Sequence, residues 1–253
     1  MKVANRRQSI LELVLSGKSN VDELCAQLGV SEATVRRDLT ALAEAGLIIR
    51  TYGGAAHIGM REPETSVEER REQHSQEKTD LAHAALAHIQ DHDTLFLEGG
   101  TTTSALAKLL PQRTGLHVIT NNLMAIADLA LIPEGRVTII GGELRKASMS
   151  TYGVGAQAAL DHISADKVFL SADGVVADLG LCEANADQAY FKESMLARAA
   201  HIYVLADITK LGRARQQHWT PLRQPWTLIT NNTADKSLLQ PFLDGRVVTV
   251  QLV

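Results

Sequence analysis

Short apolar runs alternate with segments in which apolar residues recur at helical spacing through most of the chain after residue 90. Seven runs have the length of a buried strand, at residues 94–97, 118–120, 137–140, 168–171, 202–205, 228–230 and 247–250. Helical patterns lie between most of them, as at residues 104–110, 123–131 and 188–199. Strands that alternate with helices predict an open, largely parallel sheet covered by helices on both faces. The pattern therefore predicts an α/β domain.

The first 45 residues have a different pattern, with helical periodicity and no strand-like run. An apolar stripe over residues 10–15 stops at Ser16-Gly17, and Asn20 is placed to cap a second helix. Gly29 ends that helix, and Ser31 begins another almost at once. Two short helices joined by a tight glycine turn predict a helix-turn-helix at about residues 20–45, whose second helix enters the major groove of DNA.

The second helix of this motif has one apolar side and one polar side. Val35, Leu39 and Leu42 fall on one side at about 100° per residue, so they are predicted to face the core. Arginine binds phosphates or the O6 and N7 atoms of guanine, whereas a surface Arg-Arg pair with no partner is the alternative interpretation. The predicted DNA contacts of this helix are Ser31, Thr34, Arg36 and Arg37.

A hairpin is predicted after the helix, at about residues 47–56, because an apolar stretch there ends in Gly53-Gly54. Such a wing would present Arg50 and Tyr52 to the DNA backbone, or it would be a plain structural hairpin. The polar and charged segment 58–75 has little apolar periodicity and is predicted to be a linker. The predicted domains are therefore 1–57 for DNA binding and 76–253 for a ligand.

Candidate ligand-binding residues follow the predicted strands, and ligands of open parallel sheets bind beyond the carboxyl ends of the strands. Glycines let the backbone approach a ligand, threonines offer hydroxyl groups, and lysines offer positive charge. Each residue alone has an ordinary alternative role as a turn, a helix cap or a solvated cation. The predicted effector-binding residues are Gly100, Thr101, Thr102, Thr103, Asn121, Asp173, Lys192 and Lys210.

Composition narrows the class of protein. The chain has 253 residues, 45% of them hydrophobic and 21% charged, as expected of a folded protein. Its net charge is -4, but residues 1–56 carry one more basic than acidic residue. Cys25 and Cys182 lie far apart without metal-ligand spacing, so neither a metal nor a cofactor is expected. We expect a cytoplasmic location, since no secretory signal and no apolar run of about 18 residues occurs.

Two sets of motifs resemble the DeoR family of bacterial sugar-catabolism regulators. The stretch VSEATVRRDLTALAEAGLIIRTYGGA is similar to the winged helix-turn-helix of that family. The stretches GGTTTSALA, VITNNL, IIGGEL, DKVFLSADGV, GLCEANADQAYFK and LADITKLG resemble its sensor domain, which is similar in fold to ribose-5-phosphate isomerase. Glu98 stands where the family usually has aspartate. The resemblance implies that Gly100, Thr101 and Thr102 hold a phosphate, and that Asp173, Lys192 and Lys210 contact the sugar or close the pocket.

The resemblance implies a transcriptional repressor of a carbohydrate-catabolism operon, at least dimeric, that a phosphorylated sugar or related metabolite releases from operator DNA. A sugar-phosphate isomerase is the alternative, because Asp173, Glu183 and Lys192 have suitable acid–base chemistry. The isomerases carry a denser Asp-Gly-Ala-Asp-Glu run, however, and residues 171–182 read SADGVVADLGLC. An architectural DNA-binding protein would be more basic and would need no ligand pocket. We therefore expect a regulator and no enzyme.

Overall fold

A computed structural model describes residues 2–15, 20–51, 54–57, 64–232 and 236–253. Its helices α1 to α10 span Val3–Leu15, Val21–Leu28, Glu32–Glu44, Val67–Glu72, Ser75–Leu86, Thr101–Ala107, Ile126–Leu129, Val154–Leu160, Ala186–Leu196 and Gln240–Leu243. Its strands β1 to β14 span Ile48–Thr51, Gly54–His57, Thr94–Leu97, His117–Thr120, Arg136–Ile139, Glu143–Arg145, Ser150–Tyr152, Ala165–Leu170, Gly174–Val176, Gly180–Glu183, Ala199–Leu205, His218–Thr220, Trp226–Thr230 and Val248–Leu252.

The N-terminal unit consists of α1–α3 and the antiparallel β1–β2 hairpin around a small apolar core. The Asn20 side chain caps α2 by accepting a hydrogen bond from the backbone N–H of Asp22. Gly29 ends α2 with φ 63°, in the left-handed region that favours glycine. Val35 and Leu39 of α3 are fully buried, as their helical spacing predicts. The predicted helix-turn-helix is confirmed, while Ser16-Gly17 and Gly53 lie outside the described residues.

Asp38 joins α3 to α1, which the sequence pattern did not predict. Its carboxylate is 1% exposed and accepts hydrogen bonds from Nε of Arg6 and, at 3.0 Å, from Nε of Arg7. Burial opposes the charged carboxylate, but the two guanidinium groups outweigh burial and lower the pKa of Asp38. Asp38 therefore fixes α3 to α1.

Replacing Asp38 with asparagine should lower the free energy of unfolding of the N-terminal unit by about 1–3 kcal/mol, because Arg6 and Arg7 lose their charged partner. A carboxylate with a lowered pKa stabilises the fold above its unfolded pKa, and this contribution is lost as the pH falls. Hydrogen exchange of the α1 and α3 amides at pH 7 should be faster in Asp38→Asn. Asp22→Asn, at an exposed acid of α2, is the matched control; equal exchange in the two variants would contradict the anchor role.

The larger unit is built on a seven-stranded sheet in the order β14-β13-β11-β8-β3-β4-β5. Every neighbouring pair of strands in this sheet is parallel. All seven predicted apolar runs overlap these strands, so the predicted α/β class is confirmed. The inner strands end in buried apolar residues because both faces of the sheet are covered there, whereas the edge strands β5 and β14 are partly exposed.

Alternate residues of β3 show how the two faces are covered. Leu95 and Leu97 pack in a core with α5, α6 and α7, whereas Phe96 packs on the other face with α8, α9 and α10. Side chains of a strand point alternately to opposite faces, so one four-residue run contributes to both cores. The prediction of helices on both faces is therefore confirmed.

Two small antiparallel sheets accompany the main sheet, and the sequence pattern did not predict them. One pairs β6 with β7, and the other has the order β12-β10-β9. Gly174 begins β9, where a Cβ would lie only 1.9 Å from the carbonyl oxygen of Arg213, so only glycine fits without a shift of the backbone. An isolated bridge between Val175 and Leu211 holds the same two segments together. These contacts bring the loop after β8 next to the loop after β11.

Helix α4 lies inside the segment 58–75 for which the sequence predicts a linker. Ser66 caps it by accepting a hydrogen bond from the backbone N–H of Glu69 at 3.2 Å. Val67 is buried, and α4 packs against α6 of the larger unit. Residues 67–72 are therefore part of a folded structure next to the sheet.

Candidate functional site

A polar cavity lies at the carboxyl end of the main sheet, where β3, β8 and β11 end. Six of the eight predicted effector-binding residues line it: Gly100, Thr101, Thr102, Asp173, Lys192 and Lys210. The fold brings them together because the carboxyl ends of parallel strands meet at one edge of a sheet. The other lining residues are Arg70, Gln73, His74, Lys78, Glu98, Gly99, Ser148, Ser171, Ala172, Glu183, Gln188 and Asp207.

The two glycines after β3 allow the loop to lie close to its neighbours. A Cβ on Gly100 would lie 2.4 Å from Oγ of Ser171, and one on Gly99 would lie 2.6 Å from Cβ of Ser150. Any side chain at Gly100 would therefore displace Ser171 at the wall of the cavity. Close packing explains these glycines, and it leaves the loop backbone at the cavity surface.

Thr103 and Asn121 are not among the lining residues. The Thr103 hydroxyl is fully buried and donates to the carbonyl oxygens of Glu98 at 2.7 Å and Gly100 at 2.9 Å. The Asn121 amide donates to the carbonyl oxygen of Thr151 at 2.9 Å, and the side chain is 4% exposed. Both side chains therefore hold the loop and the β6–β7 hairpin in place from behind the cavity surface.

Lys192 of α9 forms the floor of the cavity with two carboxylates. Its ammonium donates to Oε1 of Glu183 and to the carbonyl oxygen of Ser171, and it lies 3.6 Å from Oε1 of Glu98. The side chains of all three charged residues are at most 4% exposed. The other oxygen of Glu98 accepts a hydrogen bond from the backbone N–H of Ser171 at 3.4 Å. The carboxylate of Glu98 is therefore close enough to the ammonium of Lys192 to form an ion pair.

Burial and the attraction between Lys192 and its two carboxylates shift the pKa values of all three groups. Burial raises the pKa of Glu183 to about 8, although Lys192 opposes the shift. Burial also raises the pKa of Glu98, again against the effect of Lys192. Burial by itself would lower the pKa of Lys192, but the two carboxylates outweigh it and raise that pKa. The lysine is therefore held in its charged form between the two carboxylates.

Two further lysines, Lys78 and Lys210, line the cavity. Burial lowers the pKa of Lys210, and no carboxylate in the described part of the chain lies within 4.0 Å of its ammonium. Lys78 of α5 donates to the carbonyl oxygens of Arg70 and, at 2.6 Å, Gln73, so it holds the end of α4. Burial lowers the pKa of Lys78 as well. Lys210 is thus a cation available to an anionic ligand.

The residues contributed by α4 and the start of α5 were missed by the sequence reasoning. Arg70, Gln73 and His74 stand in a charged stretch that has the composition of a solvated linker. Their neighbours in the cavity are mostly distant in sequence, between Glu98 and Lys210, so no local pattern indicates the contact. The capping pattern Ser66-x-x-Glu69 and the apolar Val67 were local signals for a helix there.

The side of α3 opposite its buried residues carries the residues for which the sequence predicts DNA contacts. Ser31, Arg36 and Arg37 are exposed, and Thr34 is half-buried with its hydroxyl 2.9 Å from that of Ser31. Arg36 lies 2.6 Å from a carboxylate oxygen of Glu32, an exposed pair one turn apart. The guanidinium of Arg37 has no ion pair among residues 2–15, 20–51 and 54–57. Tyr52 and the side chain of Arg50 lie outside the described residues.

Comparison with known proteins assigns both units to one family. A family model for the DeoR-like helix-turn-helix domain matches residues 6–60, and a model for the DeoR C-terminal sensor domain matches residues 73–232. The chain belongs to the DeoR family. The HTH-type transcriptional regulator IolR of Bacillus subtilis (strain 168) is 32% identical over 236 residues, which are 93% of this chain and 94% of that protein.

A second DeoR-family relative is the glycerol-3-phosphate regulon repressor of Escherichia coli (strain K12). It is 30% identical over 251 residues, which are 98% of this chain and 98% of that protein. Among solved structures, ribose 5-phosphate isomerase A from Methanocaldococcus jannaschii matches with a TM-score of 0.38 and 18% identity. That match covers 53% of this chain and 52% of the isomerase, so it is weak.

Family membership decides between the classes of protein that the sequence left open. The two family models describe a helix-turn-helix domain and a sensor domain, and the relatives that match almost the whole chain are named as transcriptional regulators. This DeoR-family chain is therefore a DNA-binding transcriptional regulator and not an enzyme. No helix among the described residues is long and apolar enough to cross a membrane. Among those residues there is also no cluster of three or more histidine, cysteine or acidic side chains that would hold a metal ion.

Proposed function

We propose that this DeoR-family regulator represses a carbohydrate-catabolism operon and leaves its operator when a phosphorylated sugar or related metabolite binds the cavity. The main support for this proposal is the polar cavity. It is lined by the hydroxyl groups of Thr101 and Thr102, by Lys210, and by the carboxylates of Glu98 and Glu183 around Lys192. A regulator needs such a site only if it responds to a small polar molecule. The E. coli relative is named as a repressor of a glycerol-3-phosphate regulon, which supports the same class of effector.

The lining of the cavity combines hydrogen-bond donors and cations with carboxylates, which suits a phosphorylated effector. Gly100, Thr101 and Thr102 offer backbone N–H and hydroxyl donors, and Lys210 supplies a positive charge. We assign the phosphate to these donors. The carboxylates of Asp173, Glu98 and Glu183 would accept hydrogen bonds from sugar hydroxyls. Thr103 and Asn121 support the loop and the hairpin from behind.

The proposed DNA contacts lie on α3 and on the wing. Arg37 and Arg36 would contact bases or phosphates, with Ser31 and Thr34 at the start of the helix. Arg50 and Tyr52 would contact the DNA backbone. We propose that residues 1–57 and 76–253 act as the DNA-binding and sensor domains, joined by the segment 58–75. A homodimer or larger oligomer would read two half-sites about one duplex turn apart, or a multiple of it, in the cytoplasm.

Ligand binding and operator release test this proposal together. The full chain is screened by thermal shift against glycerol 3-phosphate, other sugar phosphates, the parent sugars and sugar acids, since a bound ligand raises the melting temperature. The compounds that bind are then added to the complex with a DNA fragment selected from random duplexes. We expect phosphate esters, and not the parent sugars, to stabilise the protein and release the DNA. Stabilisation by no phosphate ester would refute the proposed effector class.

Removal of both hydroxyls of the loop, in Thr101→Ala/Thr102→Ala, should weaken effector binding by about tenfold or more, because hydrogen bonds to a charged phosphate are lost. Operator affinity without effector should stay at the wild-type value. The measurement is the effector concentration that releases half of the DNA. Thr79→Ala removes an exposed hydroxyl of α5 outside this cavity and serves as the control. Normal release of the double variant would argue against the phosphate loop.

A further inference from the structure

The guanidinium of Arg70 connects α4 to the rim of the effector cavity. Its Nη1 atom lies 3.9 Å from Oδ1 of Asp173, and its Nη2 atom lies 3.4 Å from Oε1 of Glu64. Nη2 also donates a hydrogen bond to the carbonyl oxygen of Ala147, in the turn between β6 and β7. One side chain thus contacts the cavity, the hairpin and the segment that follows the N-terminal unit in the chain.

Glu64 is shared between Arg70 and a second arginine. Nη1 of Arg145 donates to Oε1 of Glu64 at 2.8 Å and to Oγ of Ser148, a lining residue, at 3.1 Å. The charged side chains of this network are between 11% and 19% exposed. Charges with so little exposure are poorly screened by salt, so a new anion beside Arg70 would change the balance of the whole network.

Arg70 has unused capacity to donate hydrogen bonds. Its Nε atom is buried and has no hydrogen-bond partner among the described residues. The 3.9 Å separation from Asp173 is longer than a hydrogen bond, so that pairing is loose. A guanidinium presents five N–H donors in a planar fork that fits two oxygens of a phosphate, and a phosphate would be a stronger partner than a distant carboxylate.

We propose that Arg70 binds the phosphate of the effector directly and, in doing so, loosens its pairing with Glu64, which carries the signal from the cavity to the segment before α4. This inference rests on the proposed function and adds a ligand residue and a route for the signal. Before binding, Glu64 bridges Arg70 and Arg145. With phosphate bound, Arg70 turns toward the cavity and Glu64 keeps only Arg145. Residues 64–70 then change position, and they lead toward the DNA-binding domain in the chain.

Three variants of the full chain separate binding from signalling. Arg70→Gln removes the proposed phosphate ligand. Arg71→Gln removes the same charge from the next residue of α4, which is exposed and outside the cavity, and is the matched control. Glu64→Gln breaks the proposed route and leaves the lining residues unchanged. Binding is measured by thermal shift with inorganic phosphate and glycerol 3-phosphate, and signalling is the ratio of operator affinities without and with the phosphate ester that stabilises the wild type most.

We expect Arg70→Gln to bind both phosphate probes about tenfold or more weakly than the wild type, as is usual for loss of a charge-assisted pair. Arg71→Gln should bind them within about twofold. Glu64→Gln should bind like the wild type, but its affinity ratio should fall toward 1 from the usual range of about 5–150. Arg70→Lys, which keeps the charge without the fork, should bind with intermediate affinity.

The outcomes distinguish the failure of this inference from that of the proposed function. A wild-type protein that no phosphate ester stabilises overturns the proposed function and this inference with it. If the wild type binds and is released but Arg70→Gln binds like Arg71→Gln, only the role of Arg70 as a ligand is refuted. If Glu64→Gln keeps the wild-type affinity ratio, the route through Glu64 is refuted. Melting temperatures without ligand identify any variant that has lost its fold.

Discussion

Replacement of Lys192 by methionine is expected to lower the free energy of unfolding of the sensor domain by about 3–5 kcal/mol, a large part of the stability of a domain. Methionine fills most of the space but leaves the carboxylates of Glu98 and Glu183 buried without a positive partner. Both side chains are almost fully buried, so water cannot compensate for the loss. Urea unfolding at a pH above the Glu183 pKa of about 8, where both carboxylates are ionised, measures the change. It is followed by the fluorescence of Trp219 and Trp226, which both lie in this domain.

A second substitution distinguishes the loss of charge from a packing defect. Adding Glu183→Gln to Lys192→Met removes one of the two stranded carboxylates and should restore part of the lost stability. The same change in the wild-type background should be tolerated better, because Lys192 keeps Glu98 as a partner. If Lys192→Met unfolds within about 1 kcal/mol of the wild type, the ion-paired floor contributes little to stability.

The raised pKa of Glu183 gives this floor a defined pH dependence. Below the ordinary glutamate pKa of about 4.3, Glu183 is protonated in both the folded and the unfolded chain. Between that value and its folded pKa of about 8, only the folded state holds the proton. This contribution to stability is therefore lost as the pH rises through that window. Glu183→Gln, which cannot titrate, should show a smaller decrease between pH 5 and pH 8.

Arg37→Ala is expected to weaken operator binding by about 5–150-fold, the range for loss of one good arginine contact to a base pair. Arg37 is exposed on α3, opposite the buried Val35 and Leu39, and it has no ion pair among the described residues of its unit. The substitution should leave the stability of the fold and the binding of phosphate esters unchanged. Titration of a labelled operator fragment at several salt concentrations provides the measurement.

The salt series separates two roles for Arg37. Loss of a phosphate contact weakens binding to all sequences and reduces the slope of log affinity against log salt concentration by about one. Loss of a base contact instead relaxes the preference at one position of the operator. Lys2→Ala removes an exposed cation from the same unit outside α3 and is the control. Unchanged operator affinity of Arg37→Ala would show that α3 is not the recognition helix.

Local patterns were sufficient to predict the helix-turn-helix and the strands of the main sheet. Asn20 and Gly29 mark the ends of α2 because a cap and a left-handed turn restrict the residue type at a single position. Most strands of the main sheet were found because their buried part is covered on both faces and reads as a short apolar run, as in β3 and β4. The small sheets were missed, since β6, β9 and β12 are three residues long and have no comparable run.

Most of the predicted cavity residues follow a strand, and Lys192, which lies within α9, is the exception. Gly100, Thr101 and Asp173 were found by that rule. Arg70 was missed, because a charged residue in a polar segment has the same local pattern whether it faces water or a cavity. Thr103 was predicted to bind the effector, but its hydroxyl is buried against the carbonyl oxygen of Glu98. The three consecutive threonines look alike in the sequence, so the pattern does not show which hydroxyl faces the protein interior.

The sequence by itself determined the helix-turn-helix, the parallel sheet and the edge of that sheet where a ligand would bind, because each depends on the spacing of residue types within one segment. Only the tertiary structure decided which charges meet. Arg6 pairs with Asp38 across 32 positions, and Arg145 pairs with Glu64 across 81. Such pairs depend on distance and burial in the folded chain, which residue spacing does not encode.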